Sequence, residues 1–189
     1  MTLVEEGFLA MRGCWRLLWR DPAAFEDFNL TIEGFWRSFA MVLPVLVLAY
    51  PLFISDFRFS LELANSGDSP PELMLGLDYF YLLLGMAIWP LVAALLAKLL
   101  GVGQNYVRYM IIYNWMSVPT LALAVIPHLL HLATGSSLPP LILAQIIFIF
   151  LLYVSWFVAK TALQTTAAIA FAFLLADFGL TYGLDALIR

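Results

Sequence analysis

Charged side chains are scarce in this chain of 189 residues: Asp, Glu, Lys and Arg make up 12%, whereas hydrophobic residues make up 63%. A soluble globular domain has about 25% charged and roughly 45–50% apolar residues. The mean hydropathy of +0.94 agrees with this imbalance. Because the apolar excess is too large for a soluble core of this size, the composition predicts a polytopic membrane protein.

Basic blocks and catalytic motifs are missing as well. The formal net charge is -4 and no run of Lys or Arg interrupts it, so nucleic acid is excluded as an expected partner. The sequence has no HExxH, GxSxG or Walker motif and no appended soluble domain, so we expect neither enzymatic activity nor a cofactor. A single cysteine, Cys14, excludes an internal disulfide.

Five apolar runs are each close to or longer than the roughly 20 residues that cross a bilayer. They cover approximately residues 36–54, 75–100, 106–129, 138–158 and 163–187. Residues 61–72 have the Gly, Pro, Ser and Asn content of a loop. The break between the last two runs is the least marked, and one long bent helix is the alternative there. We therefore predict an all-α bundle of five transmembrane helices in residues 35–189.

Residues 1–34 precede this bundle, and their periodicity predicts an amphipathic helix. Phe8 and Trp15 recur on one face of this helix, and another face carries a row of basic residues, Arg12, Arg16 and Arg20. An aromatic apolar face beside an arginine row is typical of a helix in the membrane interface. We therefore predict that Trp15 and the three arginines are interfacial residues that contact the lipid bilayer. The alternative is a helix that packs against the protein's own spans.

Polar side chains inside the apolar runs are the first candidate functional residues. The third run carries them at steps of three and four, with Asn114 beside them: Tyr106, Tyr109, Tyr113, Ser117 and Thr120. Lipid offers no hydrogen-bond partner, so this stripe should face the bundle and Asn114 should bond to another helix. Contact with a substrate or an ion is the alternative for Asn114. Gln145 and Gln164 are further candidates for polar packing between helices.

Asp177 is an acidic residue in the fifth run, and an ionisable group at such a position is a functional candidate. The alternative is a carboxylate that is solvated or paired near the outer interface. Asp177 and Asn114 together form the candidate polar pathway. Small residues on the same run line up at helical spacing and predict a close helix contact: Thr165, Ala168, Ala172, Ala176, Gly179 and Gly183.

His128 and His131 are three residues apart near the end of the third run, where two imidazoles could share one metal ion. No cysteine or carboxylate lies close to them in the sequence. We therefore predict no metal site.

The basic residues also predict an orientation. Four of them precede or open the first span: Arg12, Arg16, Arg20 and Arg37. The excess of Lys and Arg on cytoplasmic loops then places the N-terminus in the cytoplasm. Five spans place the C-terminus outside, and we expect an integral protein of the bacterial inner (plasma) membrane.

The order of these parts resembles the Yip-domain family of five-span membrane proteins, which are related to Rab-interacting factors. The resemblance covers roughly residues 35–187 and rests on the amphipathic lead, the five spans, "YNWMSVP" in the third span and "WFVAKTALQTTAAIAFAFLL" in the last two. The Asp-Leu-Tyr-Gly-Pro element of eukaryotic members is absent, so the resemblance does not extend to GTPase binding.

This resemblance implies a non-enzymatic protein that assembles or shapes membrane. We therefore expect an integral membrane scaffold or accessory protein, with a membrane-protein partner or a second copy of itself. The alternative is a small permease or transporter component with a polar pathway near Asn114 and Asp177.

Overall fold

The computed structural model describes residues 2–64 and 71–188, and this part of the chain is helical without any strand. The N-terminal helix α1 (Leu3–Leu18) is followed by a 3₁₀ turn (Pro22–Asp27) and the short helix α2 (Ile32–Ser38). The long helices are α3 (Val42–Leu63), α4 (Leu75–Leu99), α5 (Tyr106–Thr134), α6 (Leu138–Ala162) and α7 (Ala167–Ile188).

Five helical segments of the described chain are long and apolar enough to cross a membrane. They are Ile32–Leu63, Leu75–Leu99, Gly103–Thr134, Leu138–Ala162 and Ala167–Leu184. The predicted all-α membrane fold with five candidate spans is thereby confirmed. The alternative of one long bent helix is wrong, because Gln164 adopts the left-handed backbone conformation (φ 51°) in the turn between α6 and α7.

The first span is longer than the sequence predicted. Helix α2 passes through a 3₁₀ turn (Phe39–Met41) into α3, which continues to Leu63 rather than ending near residue 54. The predicted loop at 61–72 therefore overlaps the last turn of α3, and its residues 65–70 lie outside the described part of the chain. A threonine caps the start of α2, since the Thr31 hydroxyl accepts a hydrogen bond from the Gly34 N–H at 3.1 Å.

Helix α5 is the centre of the bundle. It packs against α3 and α6 along its length, and α1 and α2 cover the half of it that begins at Tyr106. Its side chains Met110, Ile111 and Ile112 have no exposed surface. Helix α4 packs mainly on α7 and meets α3 and α5 at only a few points. This loose attachment of α4 leaves space inside the bundle.

Helix α1 packs on this bundle through its small residues. Ala10, Cys14 and Leu17 are buried, and the Trp115 ring lies 3.5 Å from where a Cβ on Gly7 would be. The opposite face of α1 exposes aromatic side chains, among them Phe8 (75% exposed) and Trp15 (63%). Packing on the protein's own spans, the alternative for this helix, is therefore present, and placement of the exposed face in the membrane interface stays a prediction.

The three arginines of the predicted row have partners within the protein, and Arg20 lies beyond the end of α1 in the left-handed backbone conformation (φ 58°). Arg12 Nε donates to Asp27 Oδ2 at 3.1 Å, and Arg16 Nη1 donates to the same oxygen at 3.0 Å. Hydrogen bonding from Arg12 holds the pKa of the Asp27 carboxyl below its ordinary value. Arg20 donates to the Tyr153 hydroxyl at 2.8 Å. A poorly hydrated carboxylate at Asp27 needs cationic donors, and Arg12 and Arg16 supply them. Contact of the three arginines with the lipid bilayer stays a prediction.

The small-residue face predicted on α7 is used only in part within the described residues: Ala176 packs against the core, but the two glycines do not. A Cβ placed on Gly179 or Gly183 would meet no atom within 4 Å. Helix α7 instead turns Ala170 and Phe173 inwards, both almost fully buried. The Phe173 ring packs against the Tyr109 and Trp89 rings, and such close packing is a main source of helix association in lipid, so it favours this rotation of the helix.

A polar cavity as the candidate functional site

The space beside α4 is a cavity of about 710 Å³ that all five long helices line. Cavities that bind small molecules have volumes of about 300–1,000 Å³ and are mostly apolar with a few placed polar groups. This cavity fits that description, because leucines and methionines form much of its wall and two aspartates, Asp78 and Asp177, reach it.

The wall on α5 comes from the predicted polar stripe. Tyr113, Ser117 and Thr120 line the cavity. The earlier members of the stripe lie deeper in the bundle, where the Tyr106 hydroxyl donates to the Pro90 carbonyl at 2.9 Å and Tyr109 is buried among rings. The stripe thus faces the bundle throughout, but only its second half borders open space.

Asn114 is buried at the edge of this cavity, with 1% of its surface exposed. Its Nδ2 donates to Ser38 Oγ at 2.9 Å, which joins α5 to α2. The Ser117 hydroxyl donates to the Asn114 carbonyl at 2.6 Å, within α5. The amide nitrogen is therefore committed to a helix contact of the kind predicted, and Asn114 contributes to the cavity as part of its wall.

Asp177 projects from α7 into the same cavity. The Tyr113 hydroxyl lies 3.1 Å from each of its two carboxylate oxygens. The Tyr113 ring in turn packs on Trp89, with the ring centroids 5.6 Å apart. A carboxylate can accept about four hydrogen bonds, and the single Tyr113 hydroxyl hydrogen provides only one donor. Asp177 can therefore accept further donors from the cavity.

Asp78 on α4 is a lining residue that the sequence analysis did not select. The signal was present in its spacing. Asp78, Leu82, Gly85 and Trp89 follow one another at steps of four, three and four, and all of them line the cavity. Helix α4 is apolar on nearly all its faces, so hydropathy does not show which face turns inwards. The spacing of these four residues gains a meaning only from the position of the cavity.

A cluster of aromatic rings separates the cavity from the end of the bundle where α1 lies. Tyr109 and Phe173 pack edge to face with ring centroids 5.2 Å apart, and Trp89 contacts Phe173 at 6.5 Å. All three residues are at most 2% exposed. The cavity is therefore closed by packed rings on the α1 side and occupies the other half of the bundle.

The two glutamines predicted to pack between helices do not do so. Gln145 is exposed on the outer surface of α6, and Gln164 is exposed in the turn after it. Helix α6 buries Ile147, Val154 and Val158 instead. Branched aliphatic side chains fill a helix interface without leaving polar atoms to satisfy, and they occupy the inward face.

The histidine pair lies against acidic residues of α3. His131 Nδ1 is 2.9 Å from Ser55 Oγ, and His131 Nε2 is 3.1 Å from Glu62 Oε1. His128 Nδ1 is 3.4 Å from Asp56 Oδ1. Ser55 lies within α3 and is only 3% exposed, so we assign these contacts to the packing of α3 on α5.

No group of three or more metal-ligating side chains occurs in the described residues. The acidic partners of the histidines could not be found from sequence proximity, because about 70 residues separate Glu62 from His131.

The cavity with Asp177, Tyr113 and Asp78 is therefore the strongest candidate site. Comparisons with protein-family models, with curated proteins and with solved structures found no match.

Proposed function

We propose that the chain is a small permease or transporter component whose substrate occupies the cavity beside Asn114 and Asp177. One observation carries the proposal: a carboxylate and a row of hydroxyl groups line a cavity of about 710 Å³ inside a bundle of five apolar helices. Ionisable groups at membrane depth are costly and are found where water, a partner or a substrate compensates them.

The proposal places the protein in the bacterial inner membrane with its N-terminus in the cytoplasm. The cavity then lies in the outer half of the bilayer, and the aromatic cluster of Trp89, Tyr109 and Phe173 separates it from the cytoplasm. A permease would have to move this cluster to open the second side. The loose packing of α4 against α3 and α5 makes α4 the helix that can shift at the smallest cost in contacts.

Cysteine accessibility tests this function without knowledge of the substrate. Cys14 is the single cysteine of the chain, so a Cys14→Ser background contains no native thiol that could react. Single cysteines replace Ser117 in the cavity and, as a control, Ile149, which is 66% exposed on the outer surface of α6. A membrane-impermeant methanethiosulfonate reagent is then added to each side of proteoliposomes in turn.

We expect Ser117→Cys to react from both sides at different rates, and Ile149→Cys to be protected by lipid. Reaction from one side only would make the cavity a binding pocket rather than a pathway. Protection of Ser117→Cys from both sides would mean a dry cavity and would contradict the proposal.

A scaffold or accessory role of the Yip-domain type is the second candidate, and one observation favours it. Gly179 and Gly183 leave α7 with an open face on which a helix of another chain could approach closely. This role predicts a stoichiometric membrane partner, or a second copy, that stays bound in nanodiscs. A dry cavity together with such a partner would favour it over the permease.

A further inference from the structure

The charged side chains among the described residues that line the cavity are both acidic. Asp78 and Asp177 are among its lining residues, whereas no Lys, Arg or His of the described chain lines it. The described residues also form no ion pair with Asp177, and the Tyr113 hydroxyl lies 3.1 Å from each of its carboxylate oxygens. The arginine of α5, Arg108, does not line the cavity. It lies at the other end of the bundle, where its guanidinium carbon is 4.0 Å from the centroid of the Phe25 ring.

A carboxylate in such surroundings favours a positively charged ligand. Removing an ion from water costs several kcal/mol unless an opposite charge or hydrogen bonds replace its hydration. Tyr113 supplies one hydrogen bond, and a bound cation would supply the missing charge. An anionic ligand would meet repulsion from the Asp177 carboxylate in a medium that screens charge poorly.

The remaining wall specifies the rest of the ligand. Trp89, Tyr113 and Phe53 present aromatic rings to the cavity, and the faces of such rings attract organic cations. Apolar side chains such as Leu82, Met86 and Leu121 complete the wall. A small hydrated metal ion would leave this apolar surface unused, whereas an organic cation with hydrophobic groups would cover it.

We propose that the cavity binds an amphipathic organic cation, with its charge beside Asp177 and its apolar groups against the α4 and α5 walls. This inference rests on the proposed function and names the substrate class of the same site. The specificity lies in the sign of the charge, since shape and apolar surface alone would accept a neutral or anionic molecule of equal size.

Two probes of nearly equal shape and opposite charge test this directly: tetraphenylphosphonium and tetraphenylborate. Binding of each radiolabelled ion to the full-length protein in nanodiscs is measured, with empty nanodiscs subtracted. We expect saturable binding of tetraphenylphosphonium and none of tetraphenylborate. Asp177→Asn should weaken phosphonium binding by about tenfold or more, because a charge pair in a poorly screened site is lost.

Two further variants control for folding and for general charge. Asp177→Glu keeps the carboxylate and should retain most of the binding. Glu72→Gln removes one negative charge at an exposed position outside the cavity and should leave the affinity unchanged. Equal binding of the two probes, or phosphonium binding that Asp177→Asn does not alter, would overturn the inference.

The accessibility experiment separates this inference from the proposed function. If the thiol reagent reaches Ser117→Cys from both sides but phosphonium does not bind, the pathway stands and the ligand class is wrong. If the reagent does not reach the cavity from either side, both proposals fail together.

Discussion

The two halves of the bundle are built from the same helices but packed in opposite ways. At the α1 end, a Cβ on Gly13 would come within 2.7 Å of the Phe28 ring, and the side chains Met110, Ile111 and Ile112 are fully buried. At the other end, the bundle encloses the cavity, and a Cβ on Gly179 would touch nothing within 4 Å. The added layer of α1, the 3₁₀ turn and α2 makes the first half dense, and the described residues place no such layer on the second half.

This difference assigns separate roles to the two halves. In the dense half, Asp27 and Asn114 use their polar atoms to attach one element to another. In the open half, Asp177 retains acceptor capacity that faces the cavity. The dense half therefore stabilises the fold, and the open half is the part that we expect to bind a ligand.

The largest expected effect comes from adding one methyl group to each half. In Gly34→Ala the new Cβ would lie 1.8 Å from the Asn29 carbonyl oxygen, so the backbone must move. We expect the free energy of unfolding to fall by about 3 kcal/mol, which is at the upper end of the destabilisation caused by overpacking. Gly179→Ala should be neutral or slightly stabilising, because alanine is favoured over glycine by about 0.5–1 kcal/mol within a helix. Thermal unfolding in detergent, followed by tryptophan fluorescence, measures both. An equal loss of stability in the two variants would contradict the difference in packing density between the two halves.

The next largest expected effect is on the pH dependence of stability, because the ion pairs of Asp27 attach α1 to the 3₁₀ turn. Hydrogen bonding from Arg12 lowers the pKa of Asp27 in the folded state. The stabilisation that this pair gives to the fold is therefore complete above the unfolded-state pKa of about 3.9, and it is lost as the pH falls through the lower folded-state pKa. Asp27→Asn should lower the melting temperature at pH 6 and weaken the further fall of the melting temperature as the pH drops below about 4. Glu72→Gln serves as the control and should keep the wild-type pH profile. An unchanged profile in Asp27→Asn would show that the ion pairs do not hold α1.

The smallest expected effect is the coupling between Asn114 and Ser38 across α5 and α2. Hydrogen bonds between membrane helices contribute about 0.6 kcal/mol on average and up to about 1.7 kcal/mol. A double-mutant cycle of Asn114→Ala and Ser38→Ala should give a coupling energy in that range, measured from unfolding in detergent. Phosphonium binding should change little, because the amide nitrogen is committed to Ser38. A coupling near zero would mean that the contact does not hold the dense half together.

The sequence predicted some residues correctly and misplaced others for identifiable reasons. The Tyr113, Ser117 and Thr120 stripe faces the bundle, since lipid cannot satisfy a row of hydroxyl groups. Gln145 was expected in a helix contact but lies exposed, because a single amide carries no information about which face of its helix turns inwards. Asp78 was missed because α4 is apolar on every side.

The sequence by itself determined the all-helical class, the number of candidate spans and the polar stripe of α5. These follow from the hydropathy of the residues and from the regular spacing of apolar and polar residues, and both are properties of residues close together in the chain. Only the tertiary structure decided that Tyr113 meets Asp177, 64 residues away, and that Asn114 meets Ser38, 76 residues away. The rotation and spacing of each helix depend on how its side chains pack against several others at once, and the cavity exists only where that packing leaves α4 loosely held.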